Sequence, residues 1–151
     1  MLSAKLIAMI EDHGETIGAR VIGKIRHDPE LTTLRKLPEA ELKEWGRDIA
    51  RHLGHWLGSS EQEVARRYES VGRTRCQQQV PLHECVHGLH LVKNAILDYI
   101  RGQGVSQTTV DIYAEEELEH GVGRFFDWVV YHLVKGYEEA LRPAALRAAR
   151  A

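Results

Sequence analysis

Apolar residues return every third or fourth position along almost the whole chain, and no convincing run of strict alternation interrupts them. That pattern confines the fold to helices, each with a stripe to bury. The first stripe reads Leu2, Leu6, Met9, Ile10, Ile17, Val21 and Ile25, one helix with a place to bend at Gly14 or Gly18. Pro29 ends it, because the residue before a proline is biased out of helical geometry. After the connector 30–37, Pro38 opens a second helix carrying Leu42, Trp45, Ile49, Leu53, Trp56 and Leu57. Ser60 and Glu63 form an S-x-x-E capping box and start a third, through Val64, Tyr68 and Val71 to the neighbourhood of Gln78. Val80-Pro81-Leu82 breaks the chain and restarts it as a fourth helix with Cys85, Val86, Leu89, Val92, Ile96 and Ile100, stopped by Gly102-Gln103-Gly104. The last and longest spans Gln107 to Arg142, with Leu118, Val122, Phe126, Val129, Val130, Leu133, Tyr137 and Leu141, and Pro143 closes it. The expectation is an all-α single domain over residues 1–143, of about five helices in a bundle or a globin-like arrangement, followed by a short Ala/Arg tail over 144–151.

Length and charge narrow the function classes. A chain of 151 residues builds one core of ordinary size. The formal net charge of −2 supplies no field toward nucleic acid or an anionic membrane surface. No apolar run approaches the roughly 20 residues that a membrane-spanning helix needs. The N-terminal stripe is cut by Lys5, Glu11 and Asp12, unlike the core of a signal peptide. Cys76 and Cys85 are too few for a disulfide framework and read as reduced thiols, which places the protein in the cytoplasm.

Nine histidines are the compositional oddity. His83-Glu84-Cys85-Val86-His87 matches the H-E-x-x-H pattern of zinc hydrolases, in which two imidazoles one turn apart hold Zn²⁺ and the glutamate acts as general base on its water. A catalytic zinc needs a third protein ligand, and the extended metzincin pattern would put glycine where His90 stands. His83, His87, His90, Asn94 and Arg101 share one helical sector, roughly 140° from the apolar set of the same helix. The stripe therefore reads as a face turned to solvent or to a partner, and no metal ligand or catalytic residue is assigned from it.

A haem sensor is the other cofactor reading. Its ligand must face an apolar pocket, and His13, between Ile10 and Ile17, is the histidine best placed for that. His52 lies on the rim of a stripe, and His120 and His132 fall off the Phe126–Leu133 face. Glu117 and His120 make one E-x-x-H pair without the second copy that di-iron bundles need. Gly121-Val122-Gly123 follows no strand, so it is no phosphate loop, and it reads instead as a place where two helices approach. Arg66, Arg67, Arg73 and Arg75 make a cationic, solvated face of the third helix. No cofactor is expected.

The stretch Arg67-Tyr68-Glu69-Ser70-Val71-Gly72-Arg73-Thr74-Arg75, followed by Gln79-Val80-Pro81-Leu82-His83-Glu84-Cys85-Val86 and Leu89-His90-Leu91-Val92-Lys93, resembles the central pattern of the RsbRD-type amino-terminal domain. That family is found on bacterial stressosome co-antagonists and some histidine kinases. Phe125-Phe126-Asp127 and Gly136-Tyr137-Glu138 are similar to its last helix. The resemblance implies a globin-like, usually haem-free, dimeric helical domain that receives a signal and passes it to an output domain or signalling partner. Family members commonly continue into such an output domain, so this chain is expected to be a stand-alone sensor or a fragment of a longer protein.

A sensor without chemistry transmits through a surface. The last helix carries Phe125 beside Phe126 and Val129 beside Val130, with Trp128 and Tyr131 on further sectors, which suggests burial on two sides. The first helix has Ile7 and Ile22 off its main stripe. A homodimer built from one or both helices is the expectation.

Overall fold

The computed structural model describes residues 2–103 and 108–150, with side chains over 3–103 and 108–142. Among the described residues the chain is all-helical: α1 (Leu2–Asp12), α2 (Gly14–His27), a 3-10 turn (Leu34–Lys36), α3 (Glu39–Arg51), α4 (Leu53–Leu57), α5 (Glu61–Gln77), α6 (Leu82–Gly102) and α7 (Thr109–Arg150). The stripes read from sequence face inward: Leu6, Ile10, Ile17, Val21, Ile25, Leu42, Ile49, Leu53, Val64, Leu89, Val92, Ile96, Val122, Val129 and Leu133 are buried in one core.

Seven α-helices replace the expected five or so because two continuous stripes are each broken at a histidine. At His13 (φ −103°, ψ 18°) the expected first helix divides, and the Nδ1 atom of the ring lies 2.8 Å from the Met9 carbonyl. At His52 (φ −121°, ψ 29°) the second divides, with Nδ1 3.2 Å from the Asp48 carbonyl. His27 repeats the device at the end of α2, 2.7 Å from the Gly23 carbonyl. An imidazole folded back one turn in this way lies against a carbonyl of the last turn, and at Met9 and Asp48 that carbonyl also accepts the backbone N–H of the same histidine, at 3.1 and 3.2 Å. Three of the nine histidines are thus accounted for as helix terminators.

The other boundaries have local causes. Ser60 Oγ accepts the Glu63 N–H at 3.2 Å, the first half of the capping box, while the Glu63 carboxylate turns to His55 Nε2 at 3.0 Å. Helix α5 ends in a Schellman motif with Gln79 in the left-handed region (φ 60°), Val80 N–H donating to the Arg75 carbonyl and Gln79 N–H to that of Cys76. Pro143 does not stop α7, which continues to Arg150. A proline keeps helical φ and removes one backbone donor, so a long helix passes through it at the cost of a hydrogen bond and some crowding. The expected Gly104 stop and Gln107 start lie outside the described residues.

Helix α5 packs against α7 in the most extensive contact of the fold, and α2 against α3 in the next. A Cβ on Gly72 would overlap the Leu133 carbonyl oxygen and stand 2.8 Å from the Tyr137 nitrogen. On Gly136 it would overlap the Glu69 carbonyl oxygen and stand 2.6 Å from that residue's Cα. The two backbones therefore touch. The Gly121 and Gly123 pair expected in this role does not serve it: nothing lies within 4 Å of a Cβ at Gly123, and at Gly121 only Leu57 Cδ2 does, at 3.8 Å. Between α5 on one side and α6 on the other, Phe125, Phe126 and Val129 of the doubled apolar positions of α7 are buried inside the chain, and Val130 is partly so. Phe125 packs on Trp56 and Tyr68, with ring centroids 5.8 and 6.3 Å apart. Ile22 is also buried in the core, and Ile7 is partly buried against it.

Candidate functional site

The HExxH turn sits at the start of α6, directly after Pro81. Its glutamate points the wrong way for zinc chemistry. Glu84 is 1% exposed, and its Oε1 accepts the backbone N–H groups of Thr33 (2.9 Å) and Leu34 (3.0 Å). It caps the 3-10 turn and pins the 30–37 connector to the core, since a buried carboxylate is tolerated where backbone donors satisfy it. His83 and His90 are exposed, as the sequence geometry predicts. His87 is half-buried and bonded through Nε2 to Asp28 Oδ2 at 2.7 Å. That imidazole, followed by the Glu30 backbone N–H, holds the Asp28 carboxyl below its ordinary value. Burial, then Lys93 and His87, push the His90 imidazole down. Base and imidazoles face different elements, and among the described residues no group of three His, Cys, Asp or Glu side chains is arranged to hold a metal ion.

The seam between α5 and α7 carries the second polar constellation. His132 is 6% exposed, with Nδ1 2.8 Å from Glu69 Oε2 and Nε2 3.2 Å from Glu61 Oε1. Its ring bridges two carboxylates two turns apart on α5. It lies off the Phe126–Leu133 stripe, as expected, yet is buried, because its sector of α7 faces Glu61 and Glu69 of α5. Nearby, the Tyr137 hydroxyl donates to the Val80 carbonyl at 2.6 Å, fixing α7 to the break between α5 and α6, and burial pushes this phenol up. Arg75, expected on a solvated face, is 6% exposed, with its guanidinium carbon 4.8 Å from the centroid of the Trp45 ring. Burial depresses its pKa, and the Glu41 carboxylate at 3.6 Å opposes that.

Recesses open on the surface among the described residues. A groove of about 500 Å³ lies between α6 and α7, with Phe126, Val130 and Val134 as its apolar part and His90, Lys93, Tyr131 and Lys135 around them. A smaller one, about 270 Å³, lies between α3 and α5.

The sequence pattern of the family described as the RsbT co-antagonist protein rsbRD N-terminal domain matches residues 15–151. The chain belongs to that family. No curated protein matches it. Among solved structures, the globin domain of the E. coli DosC in its ferrous form superposes with a TM-score of 0.70, over 89% of this chain and 88% of that one, at 12% identity. At that identity the likeness concerns the fold, which is globin-like.

A globin fold raises the question of haem, and no buried histidine of this RsbRD-type domain has a ring nitrogen free for one. A haem iron needs an imidazole facing an apolar cage with a ring nitrogen free. His132 alone among the nine histidines is buried, and both its nitrogens face glutamates. His13, the sequence candidate, is exposed, and its Nδ1 lies 2.8 Å from the Met9 carbonyl and 3.0 Å from the Tyr99 hydroxyl. The helix break at this residue carries it out of the stripe. His90 is exposed at the edge of its groove, where Lys93, Asp127, Lys135 and Glu138 stand around the apolar part made by Phe126, Val130 and Val134. Trp56, Tyr68, Phe125 and Phe126 stack on one another inside, with neighbouring centroids 5.3 to 6.3 Å apart.

Of the residues that organise these sites, Gly72, Arg75 and Gly136 fall within the family-like segments, and their contacts were invisible there. Glu84 stands in the HExxH string with no role assigned from sequence, and its place as acceptor for Thr33 and Leu34 has no signal along the chain. No helix among the described residues is long and apolar enough to cross a membrane.

Proposed function

We propose that this domain is a signalling input module of a bacterial stress or two-component pathway, without chemistry of its own, that works in the cytoplasm through a second copy of itself and an output partner. Family membership carries the signalling part. The dimer rests on one observation: α7 is packed on two sides within the chain and still exposes large apolar side chains, with Tyr131 61% exposed beside the apolar groove and Leu141 one face further on. Aromatic side chains of this kind are enriched at interface cores. The first helix is the weaker candidate, since Ile7 and Ile22 are spent on the core. Because α5 and α7 touch backbone to backbone, a change in α5 moves α7, which is the mechanical link that an input domain needs.

Sedimentation at micromolar concentrations tests the reading. The expected result is a dimer that Tyr131→Glu dissociates without loss of helicity. A monomer with no concentration dependence overturns the dimeric part.

A further inference from the structure

The backbones of α5 and α7 meet at Gly72 and Gly136, and no proton can alter that contact. Beside it lies one that a proton can alter. The buried ring of His132 on α7 reaches two carboxylates of α5. Glu69, about one turn before Gly72, lies 2.8 Å from Nδ1, and Glu61, in the first turn of the helix, lies 3.2 Å from Nε2. An ionised carboxylate only accepts, and a neutral imidazole has a single N–H to give. Both bonds exist together only when the ring is an imidazolium. His52, His55 and His87 each meet one carboxylate, a contact that a neutral ring keeps by donating to it. Among the described residues His132 alone meets two.

No Lys or Arg comes within ion-pair distance of Glu61 or Glu69 among the described residues, so the imidazolium is their counter-charge. Of the charges nearest along the two helices, Glu63 is taken by His55, Arg73 stands 3.5 Å from Glu139, and Arg66 and Lys135 reach neither carboxylate. Exposure makes the two bonds unequal, since the Glu69 side chain is 19% exposed and that of Glu61 54%. On losing a proton the ring keeps its shorter bond to Glu69 and turns a bare nitrogen toward Glu61, which water can solvate. We propose that His132 is a proton-operated latch. As an imidazolium it ties the first turn of α5 to α7 through Glu61, and without its second proton it lets that turn go while the Gly72 and Gly136 contact stays closed. The bond to Glu61 therefore contributes on the acid side and is lost as pH rises through the titration of the ring. The Tyr131 ring stands edge-on to that of His132, with centroids 4.9 Å apart, so the latch adjoins the exposed side chain assigned above to the second copy. The latch deepens the sensory reading and rests on it for its consequence alone: a monomeric protein would sink the dimer and leave the latch intact.

The test uses the full chain. Long-range proton–nitrogen NMR follows the imidazoles from about pH 5.5 to about pH 8.5, across the ordinary range of histidine, with His132 identified by His132→Gln. Both nitrogens of its ring are expected to carry protons at the acid end and only one at the alkaline end. The amide shifts that accompany the loss should concentrate in the first turn of α5 and spare Gly72 and Gly136. Urea denaturation at the two pH values then compares the protein with Glu61→Gln. A glutamine amide both donates and accepts, so it bonds either form of the ring, and the variant does not need the second proton. Between the two values the folding constant of the unaltered protein is expected to fall about tenfold more than that of the variant, the magnitude of one charged hydrogen bond. The other histidine pairs are common to both proteins and cancel. Equal falls in the two proteins, a ring that holds one protonation state throughout, or amide shifts spread evenly over α5 and α7 overturn the latch.

Discussion

Replacing Gly136 by alanine adds one methyl group to α7 where that helix meets the backbone of α5. The new Cβ would overlap the Glu69 carbonyl oxygen and stand 2.6 Å from its carbonyl carbon and Cα, so the neighbour that must give is main chain rather than a side chain with another rotamer. Overpacking of this kind costs about 1–3 kcal/mol, and a rigid neighbour puts it at the upper end, about 3 kcal/mol. Alanine returns about 1 kcal/mol over glycine in a helix interior. The net expectation is a loss of about 2 kcal/mol, or a fall in Tm of roughly 4–8 °C for a chain of this size. Gly123→Ala supplies the internal control on the same helix. A Cβ there meets nothing within 4 Å, so the helix-propensity gain stands alone and stability should rise by up to about 1 kcal/mol. Urea denaturation of the two variants, monitored by circular dichroism, measures both signs. A neutral or stabilising Gly136→Ala, or two variants that move together, would refute backbone contact between α5 and α7.

Glu84→Ala should cost about 2–4 kcal/mol in the same assay, because the Thr33 and Leu34 N–H groups lose their acceptor inside the protein; a cost under about 0.5 kcal/mol, the range of ordinary surface changes, would contradict the capping role. Gln79→Gly should stabilise by about 1 kcal/mol, since a side chain at φ 60° is strained and glycine is not, and a destabilised variant would argue against the Schellman geometry. The depressed Asp28 carboxyl means that its bond to His87 contributes stability above the carboxyl's ordinary value and loses it as pH falls below about 4, through the lower folded value. Asp28→Asn should accordingly flatten the acid limb of stability against pH, and an unaltered limb would show that the pair is not formed in solution. Burial pushes the Cys85 thiol up to about 12, so the native protein should leave it unmodified by a thiol reagent at pH 8 while urea exposes it; rapid native labelling of Cys85 would contradict its burial.

The helical class, the inward stripes and the break before α6 were legible in the residues because periodicity and proline act within a few positions of themselves. Ser60 announced its cap, and Leu89, Val92 and Ile96 their face, for the same reason. The break at His13 was legible only as a place to bend at Gly14 or Gly18, and the one at His52 not at all, since a one-residue kink leaves the spacing of apolar residues along the chain unchanged while redirecting the helix. His13 thereby passed from an apparent pocket to the surface. The HExxH string shows the limit in the other direction: its helical sector was right for His83 and His90, but the glutamate's role depends on Thr33 and Leu34, fifty residues away in sequence. The burial of Arg75 over Trp45, the clamp on His132 and the contact of Gly72 with α7 each require knowing which helix lies against which. Sequence alone determined which face each helix buries, because burying apolar surface is a property of the helix itself. Which partner meets that face, and so which glycine, arginine or histidine becomes part of a site, was decided by tertiary packing, where close approach between distant segments selects among faces that look alike along the chain.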